Sequence, residues 1–158
     1  DLAAINLLPS EDVEIVLHLL LPVLVSAVQD VPELVDRWVD AKTWWDVVDV
    51  LGPKVLGQYF SQFPDQRDRW VATWMKSPIF WHQRLCILFQ LDYKSKTDLV
   101  LLSQVILALN TSKEFFIQKA IGWTLRQYAR TDADWVREFV ESNALMPLSK
   151  REALKHIS

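Results

Sequence analysis

Thr43-Trp44-Trp45-Asp46-Val47-Val48-Asp49-Val50-Leu51 is the stretch on which the reading of the fold turns. Trp44, Val47, Val48 and Leu51 recur at i, i+3, i+4 and i+7, a spacing that lays four apolar side chains along one face of an α-helix. All four are therefore expected in a core. Trp45 and Asp49 stand one turn apart, roughly 100–140° from the centre of that stripe at about 100° per residue. A tryptophan and a carboxylate thus share a face that points away from the core. Thr43 and Asp46 read as a capping box, in which each side chain satisfies a backbone group of the other. Asp49 lies too deep in the helix for that task. Its ordinary reading is a solvated charge beside a Trp packed on a neighbouring helix; the sharper one is a functional carboxylate.

The aromatic entry of this helix returns downstream. Thr43-Trp44-Trp45, Ser77…Phe80-Trp81 and Ser112…Phe115-Phe116 recur 36 and 35 residues apart. A period of about 35–40 residues built on two antiparallel helices is the signature of an α-solenoid, whose repeats bury apolar faces against their neighbours and leave a concave surface for a partner. The expected fold is all-α. Ser10 opens a first helix and Asp30 with Pro32 a second. Gly52-Pro53 is expected to stop the Trp44 helix and start another through Phe60. Further helices are expected over 66–76, 80–91, 97–110 and from Thr111 to Ala129. Thr111 with Glu114, Thr131 with Asp134 and Ser149 with Glu152 repeat the capping-box pattern at the later helix starts. No strand and no linker is expected, so residues 1–158 read as one domain.

Composition agrees. The 158 residues include 3 Gly, 7 Pro and 8 Trp, and scarce glycine suits helices better than turn-rich sheets. At 51% hydrophobic and 23% charged, with a mean hydropathy of +0.08, the chain has enough apolar surface for a core and is too apolar for disorder. The longest apolar run, 15–28, is broken by His18, Pro22 and Ser26, short of the ~20 apolar residues of a bilayer-spanning helix. No membrane is expected as partner, and an opening at Asp1 without a basic stretch argues against a signal peptide. Cys86 is the only cysteine, which excludes an internal disulfide and suits a reducing, cytoplasmic setting. The net charge of −3 hides an asymmetry: residues 1–78 carry six Lys and Arg against twelve Asp and Glu, residues 79–158 eleven against eight. A polyanion would dock on the C-terminal half.

That half holds a second candidate face. Ile117, Ile121, Thr124, Leu125 and Tyr128 form the apolar stripe of the helix entered at Ser112, and Trp123 points about 140° away from its centre. Lys119 and Arg126 stand at i−4 and i+3 from Trp123. Cations beside an exposed ring suit a phosphate–sugar backbone, although the same pattern arises from surface cation–π contacts. The segment around Trp81 is apolar on nearly every side, so Arg84 within it needs an anionic partner: a ligand phosphate, or a neighbouring Asp in a structural ion pair. His82 and Cys86 read as packing residues. His18 and His156 are isolated, and no metal-ligand cluster or Ser-His-Asp spacing is present, so neither metal nor cofactor is expected.

Four motifs carry a resemblance. Lys42-Thr43-Trp44-Trp45-Asp46-Val47-Val48-Asp49, Trp81-His82-Gln83-Arg84 followed by Ile87-Leu88-Phe89-Gln90-Leu91, the run from Lys113 to Trp123, and Pro147-Leu148-Ser149-Lys150-Arg151-Glu152-Ala153 resemble, in order and spacing, the AlkD-type DNA glycosylases. These are bacterial alkylpurine repair enzymes built from HEAT-like repeats. The likeness covers roughly residues 33–157, and the stretch before it is shorter and more acidic than the helices that open other members. The resemblance implies that Trp45, Asp49, Arg84 and Trp123 line a lesion site and that Arg126 and Arg130 contact the DNA backbone. It implies a monomer acting on double-stranded DNA that contains alkylated bases, in which Asp49 stabilises the sugar cation, Trp45 and Trp123 cradle the deoxyribose, and Arg84 and Lys119 add phosphate contacts. Two rival readings belong to other classes: a catalytically inactive HEAT-like module for bent or branched DNA, which retention of Asp49 disfavours, and a protein-binding solenoid scaffold, which the basic Trp face of the C-terminal half disfavours.

Overall fold

The computed structural model of the protein describes residues 30–40 and 42–157, and every described element is helical. The helix expected from Ser10 lies outside the described residues. In order come α1 (Val31–Trp38), α2 (Trp45–Val50), a π-helical segment (Leu51–Leu56), α3 (Gly57–Gln62), α4 (Pro64–Met75), α5 (Phe80–Leu88), a 3-10 turn (Lys94–Lys96), α6 (Leu99–Leu109), α7 (Phe115–Tyr128), α8 (Ala133–Ser142) and α9 (Pro147–Ala153). They gather into two compact units, divided between Phe89 and Gln90.

In the first unit, Val47, Val48 and Leu51 are buried as their spacing requires. Trp44 is not. It stands before α2 with extended backbone angles (φ −84°, ψ 143°), so it never joins the helical stripe, and the residue is 64% exposed. The core closes around Phe60, which meets Phe89 edge-on at 5.3 Å and lies against Trp74 at 6.2 Å. Leu56, Leu85 and Leu88 are fully buried, each contributing about 1.5–3 kcal/mol by leaving water.

Gly52-Pro53 does not end the helix as expected. Pro53 has no N–H for the carbonyl of Asp49 four residues back, and in a regular helix its ring would strike that carbonyl. The chain widens by one residue instead: the Gly57 N–H donates to the Gly52 carbonyl in a π-type bond, and the helix runs on as α3. Gly52 itself permits a close approach, since a Cβ there would stand 3.2 Å from the Cβ of Leu88 on α5.

Two of the three aromatic entries read from the sequence, those at Ser77 and Ser112, share a hydrogen-bonding device. In the first unit the Ile79 N–H donates to the Ser77 hydroxyl at 3.1 Å, and the Gln83 amide donates to the Ser77 carbonyl at 3.3 Å. In the second, 35 residues on, the Glu114 N–H donates to the Ser112 hydroxyl at 3.2 Å and the Gln118 amide to the Ser112 carbonyl at 3.1 Å. Each serine orders the approach to its helix and each glutamine, one turn in, ties the helix back to that approach.

The capping boxes do not form. The Thr43 hydroxyl accepts from the Asp40 N–H at 2.8 Å, closing the turn before α2, while Asp46 accepts from the N–H of Val47 at 3.0 Å. Asp98 and Asp132 cap α6 and α8, accepting from Leu101 and Trp135, where Thr97 and Thr131 were expected to act. Glu114, not Thr111, stands at the α7 cap position, with no side-chain cap bond. Ser149 lies inside α9 and donates its hydroxyl to the Gln118 carbonyl at 2.9 Å, so it joins α9 to α7 rather than starting a helix. A short polar side chain finds a partner within a few residues whichever way the turn runs, and here an aspartate one residue along, or a tertiary acceptor, wins.

Candidate functional site

In the first unit, α2 and α5 bring Asp49 and Arg84 together. Arg84 donates from Nε to Asp49 Oδ1 at 2.8 Å and from Nη2 to Oδ2 at 3.1 Å, a two-pronged pair in which guanidinium and carboxylate planes match. Arg84 is 4% exposed, and the Asp49 side chain is largely covered. The anion that the apolar Trp81 helix demanded is thus Asp49 itself. Burial pushes the Asp49 carboxyl above the ordinary aspartate value, against the hydrogen bond and charge of Arg84, which pull it down; Asp46, one turn back, adds to the rise. Trp45, one turn before Asp49, is 51% exposed at the start of α2. An aromatic surface open to solvent therefore sits one turn from a held, desolvated carboxylate. Sequence reasoning missed Trp44 as a member of this surface, having placed it in the core; the signal lay in Thr43, which marks the helix start and puts Trp44 outside the helix.

His82, on the same helix as Arg84, is a packing residue as read. Its ring stacks on Trp74 (5.8 Å between centroids, 9° between planes), its Nδ1 hydrogen-bonds the Ser77 hydroxyl at 2.7 Å, and its Nε2 stands 3.5 Å from Asp36. Asp36 in turn accepts from the Trp74 indole N–H at 2.7 Å. Burial lowers the His82 pKa against the opposing charge of Asp36. Cys86 is fully buried and burial pushes its thiol up, away from any reactive thiolate.

In the second unit, α7 carries Trp123 half-buried between Lys119 and Arg126. Both cations turn to Glu152 on α9: Arg126 Nη1 donates to Oε2 at 2.8 Å and Lys119 Nζ stands 3.5 Å from the same oxygen. Burial alone would raise the Glu152 carboxyl, but Lys119, Arg126 and Lys155 together hold it below the ordinary glutamate value. Arg130, one turn past Arg126, is exposed in the turn that follows α7. It lines a cleft of about 350 Å³ with Lys94, Thr97, Tyr128 and Thr131. The wall bearing Lys94 is pinned by Gln90, which accepts from the Asp98 N–H at 2.7 Å and donates to the Asp98 carbonyl at 3.3 Å. That clamp closes a tight loop in which Lys94 takes a φ of 52°, a left-handed conformation uncommon outside glycine. Sequence reasoning did not find Lys94, whose place depends on a loop closure that periodicity does not encode. Glu152 it took for a capping residue.

Among the described residues no helix is long and apolar enough to cross a membrane, and no three His, Cys, Asp or Glu side chains cluster as metal ligands.

Comparison with known proteins agrees with the motifs. A family model described as DNA alkylation repair enzyme matches residues 9–157. A solved structure of a predicted DNA alkylation repair enzyme from Enterococcus faecalis is 35% identical, with a TM-score of 0.76 over 85% of this chain. This chain spans 63% of the length of that one. No protein of curated function matches. With the family model matching residues 9–157, and the tryptophan, carboxylate and arginine motifs placed as described, the chain belongs to the DNA alkylation repair enzyme family.

Proposed function

We propose that the protein is a DNA glycosylase that hydrolyses the N-glycosidic bond of cationic alkylated purines, 3-methyladenine and 7-methylguanine, in double-stranded DNA, without drawing the base into a pocket. The observation that carries this reading is the Asp49 carboxylate, gripped at both oxygens by Arg84 one turn from the exposed Trp45. A purine alkylated at ring nitrogen carries positive charge, so it leaves as a neutral base without a general acid. What develops is an oxocarbenium-like sugar cation, which a fixed carboxylate in a water-poor setting stabilises and to which it directs a water. Trp45 supplies the apolar surface for the deoxyribose; Trp123 is assigned the same task in the second unit. Arg84 orients Asp49 and favours its ionised form against the opposing effect of burial. The phosphate contact read for Arg84 from the sequence would require this pair to open, so backbone binding is assigned to Lys119, Arg126 and Arg130. No metal or cofactor enters a reaction whose leaving group is already activated.

Duplexes carrying single lesions test this. 3-Methyladenine and 7-methylguanine should be released, while neutral hypoxanthine, which needs protonation to depart, should persist. Asp49→Asn should lose about 10²–10³-fold in release rate while keeping duplex affinity, because the charge is needed where the sugar cation forms and affinity resides in the cations. The Asp49 carboxyl lies above the ordinary aspartate value and acts ionised, so the rate should fall as pH drops through that raised value, and the acid limb should vanish in the Asn variant. Wild-type release by Asp49→Asn, or excision of hypoxanthine in preference to the cationic purines, would remove the proposal.

A further inference from the structure

One oxygen of Glu152 faces two cations, Arg126 at 2.8 Å and Lys119 at 3.5 Å, and those cations stand on either side of Trp123 in α7. The carboxylate is itself held by the backbone beneath it. Gly122 brings α7 so close to α9 that a Cβ there would lie 2.5 Å from the Cβ of Glu152 and 3.1 Å from the Ser149 carbonyl oxygen. One turn earlier on α9, the Ser149 hydroxyl donates to the Gln118 carbonyl at 2.9 Å. Glu152 therefore has little room to move, and what it bonds shares that fixity. We propose that Glu152 is a positioning residue for DNA: it sets Lys119 and Arg126 beside Trp123 before the duplex arrives. The inference rests on the glycosylase reading and names the residue that orders its basic face.

The charge count fits the role. One carboxylate against two cations leaves a positive surplus, to which Lys155 adds, so the cluster attracts a phosphate while its members stay directed. A cation free on its long stem would bind any phosphate within reach; a tethered one binds a phosphate in register with Trp123. Loss of the carboxylate charge should separate the two properties, strengthening binding to any duplex and weakening the productive geometry.

Glu152→Gln keeps the shape and removes the charge. Its affinity for undamaged duplex should rise about threefold with a steeper salt dependence, while single-turnover release of 7-methylguanine falls about tenfold. Ser149→Ala is the control, since it loosens the same helix contact without changing charge; it should lower Tm and leave the salt slope as it is. If both variants change affinity, slope and release only in step with Tm, Glu152 is a packing residue and the proposal falls. In the DNA-free protein, the Arg126 guanidinium N–H resonances should be resolved in the wild type and in Ser149→Ala, and averaged in Glu152→Gln. Resonances that survive in Glu152→Gln would overturn the tether directly. A wild-type protein that released no base would remove the glycosylase reading, and the guanidinium resonances and undamaged-duplex affinity would still decide the role of Glu152.

Discussion

In the first unit the Asp49 carboxylate is gripped by the Arg84 guanidinium; in the second the Glu152 carboxylate faces two cations. Asp49 and Arg84 form a two-pronged pair that engages both carboxylate oxygens and lies largely out of water. Glu152 is also covered, but Arg126 is only partly buried, Lys119 is well exposed, and their charges are not fully matched. A carboxylate held at both oxygens is fixed in one direction at low dielectric, which is what stabilising a transient cation asks for. An unbalanced cluster at the surface attracts phosphates and cannot be desolvated without penalty. On the proposed reading, the first arrangement carries the chemistry and the second the binding.

Removing one cation from each cluster should separate the two arrangements most strongly. Arg84→Ala leaves Asp49 buried without its partner and should cost about 3–5 kcal/mol of unfolding free energy in urea titration. Arg126→Ala leaves Glu152 with Lys119 and partial access to water, and should cost under about 1 kcal/mol. Equal losses would mean that Asp49 depends on Arg84 no more than Glu152 depends on Arg126, and that the two clusters do not differ as described.

The helices of both units were legible because apolar residues at helical spacing have one economical placement: Val47, Val48 and Leu51, and again Ile117, Ile121 and Leu125, are buried as their periodicity requires. Which polar group meets which was not. The requirement that Arg84 find an anion could be read from its apolar neighbours, but a sequence rich in aspartates does not say which one, and the choice of Asp49 belongs to the packing of α5 on α2. Trp44 failed for a different reason, since periodicity was extended one residue past the helix start. Glu152 resembled a capping residue because Ser149 precedes it by three, and only the contact of α9 with α7 reveals its two cations. The informative signal was Gly122, a glycine inside a good helix that sacrifices about 1 kcal/mol of propensity and so marks a close approach.

The two helical glycines extend the comparison at a smaller scale. Gly122→Ala would drive a Cβ to 2.5 Å from that of Glu152, which cannot swing away because it is the root of the side chain that clashes. Overpacking of this kind costs about 1–3 kcal/mol, more than the alanine gains in helix propensity, so Tm should fall. Gly52→Ala meets the Cβ of Leu88 at 3.2 Å, a contact relieved by a shift of a few tenths of an ångström, and its thermal unfolding should stay close to wild type. A larger loss at Gly52 than at Gly122 would place the tighter helix contact in the first unit.

The smallest expected effect concerns a cation outside both carboxylate clusters. Arg130 is exposed in the turn after α7 and has no ion pair among the described residues, whereas Arg126, one turn earlier, is already bonded to Glu152. A cation paired within the protein must loosen that pair to take a phosphate, so part of its electrostatic gain is spent before DNA arrives; a free one exchanges only water and counterions. Arg130→Ala should therefore lower the slope of log affinity against log salt by about 0.9, the release belonging to one phosphate, and Arg126→Ala should lower it by less. Both should leave the preference for cationic over neutral purines unchanged, because neither residue reads the base. Titrating an undamaged duplex at several salt concentrations measures the two slopes directly. Equal slopes for the two variants would show that Glu152 does not restrain Arg126, and an unchanged slope for Arg130→Ala would take the DNA path away from the end of α7.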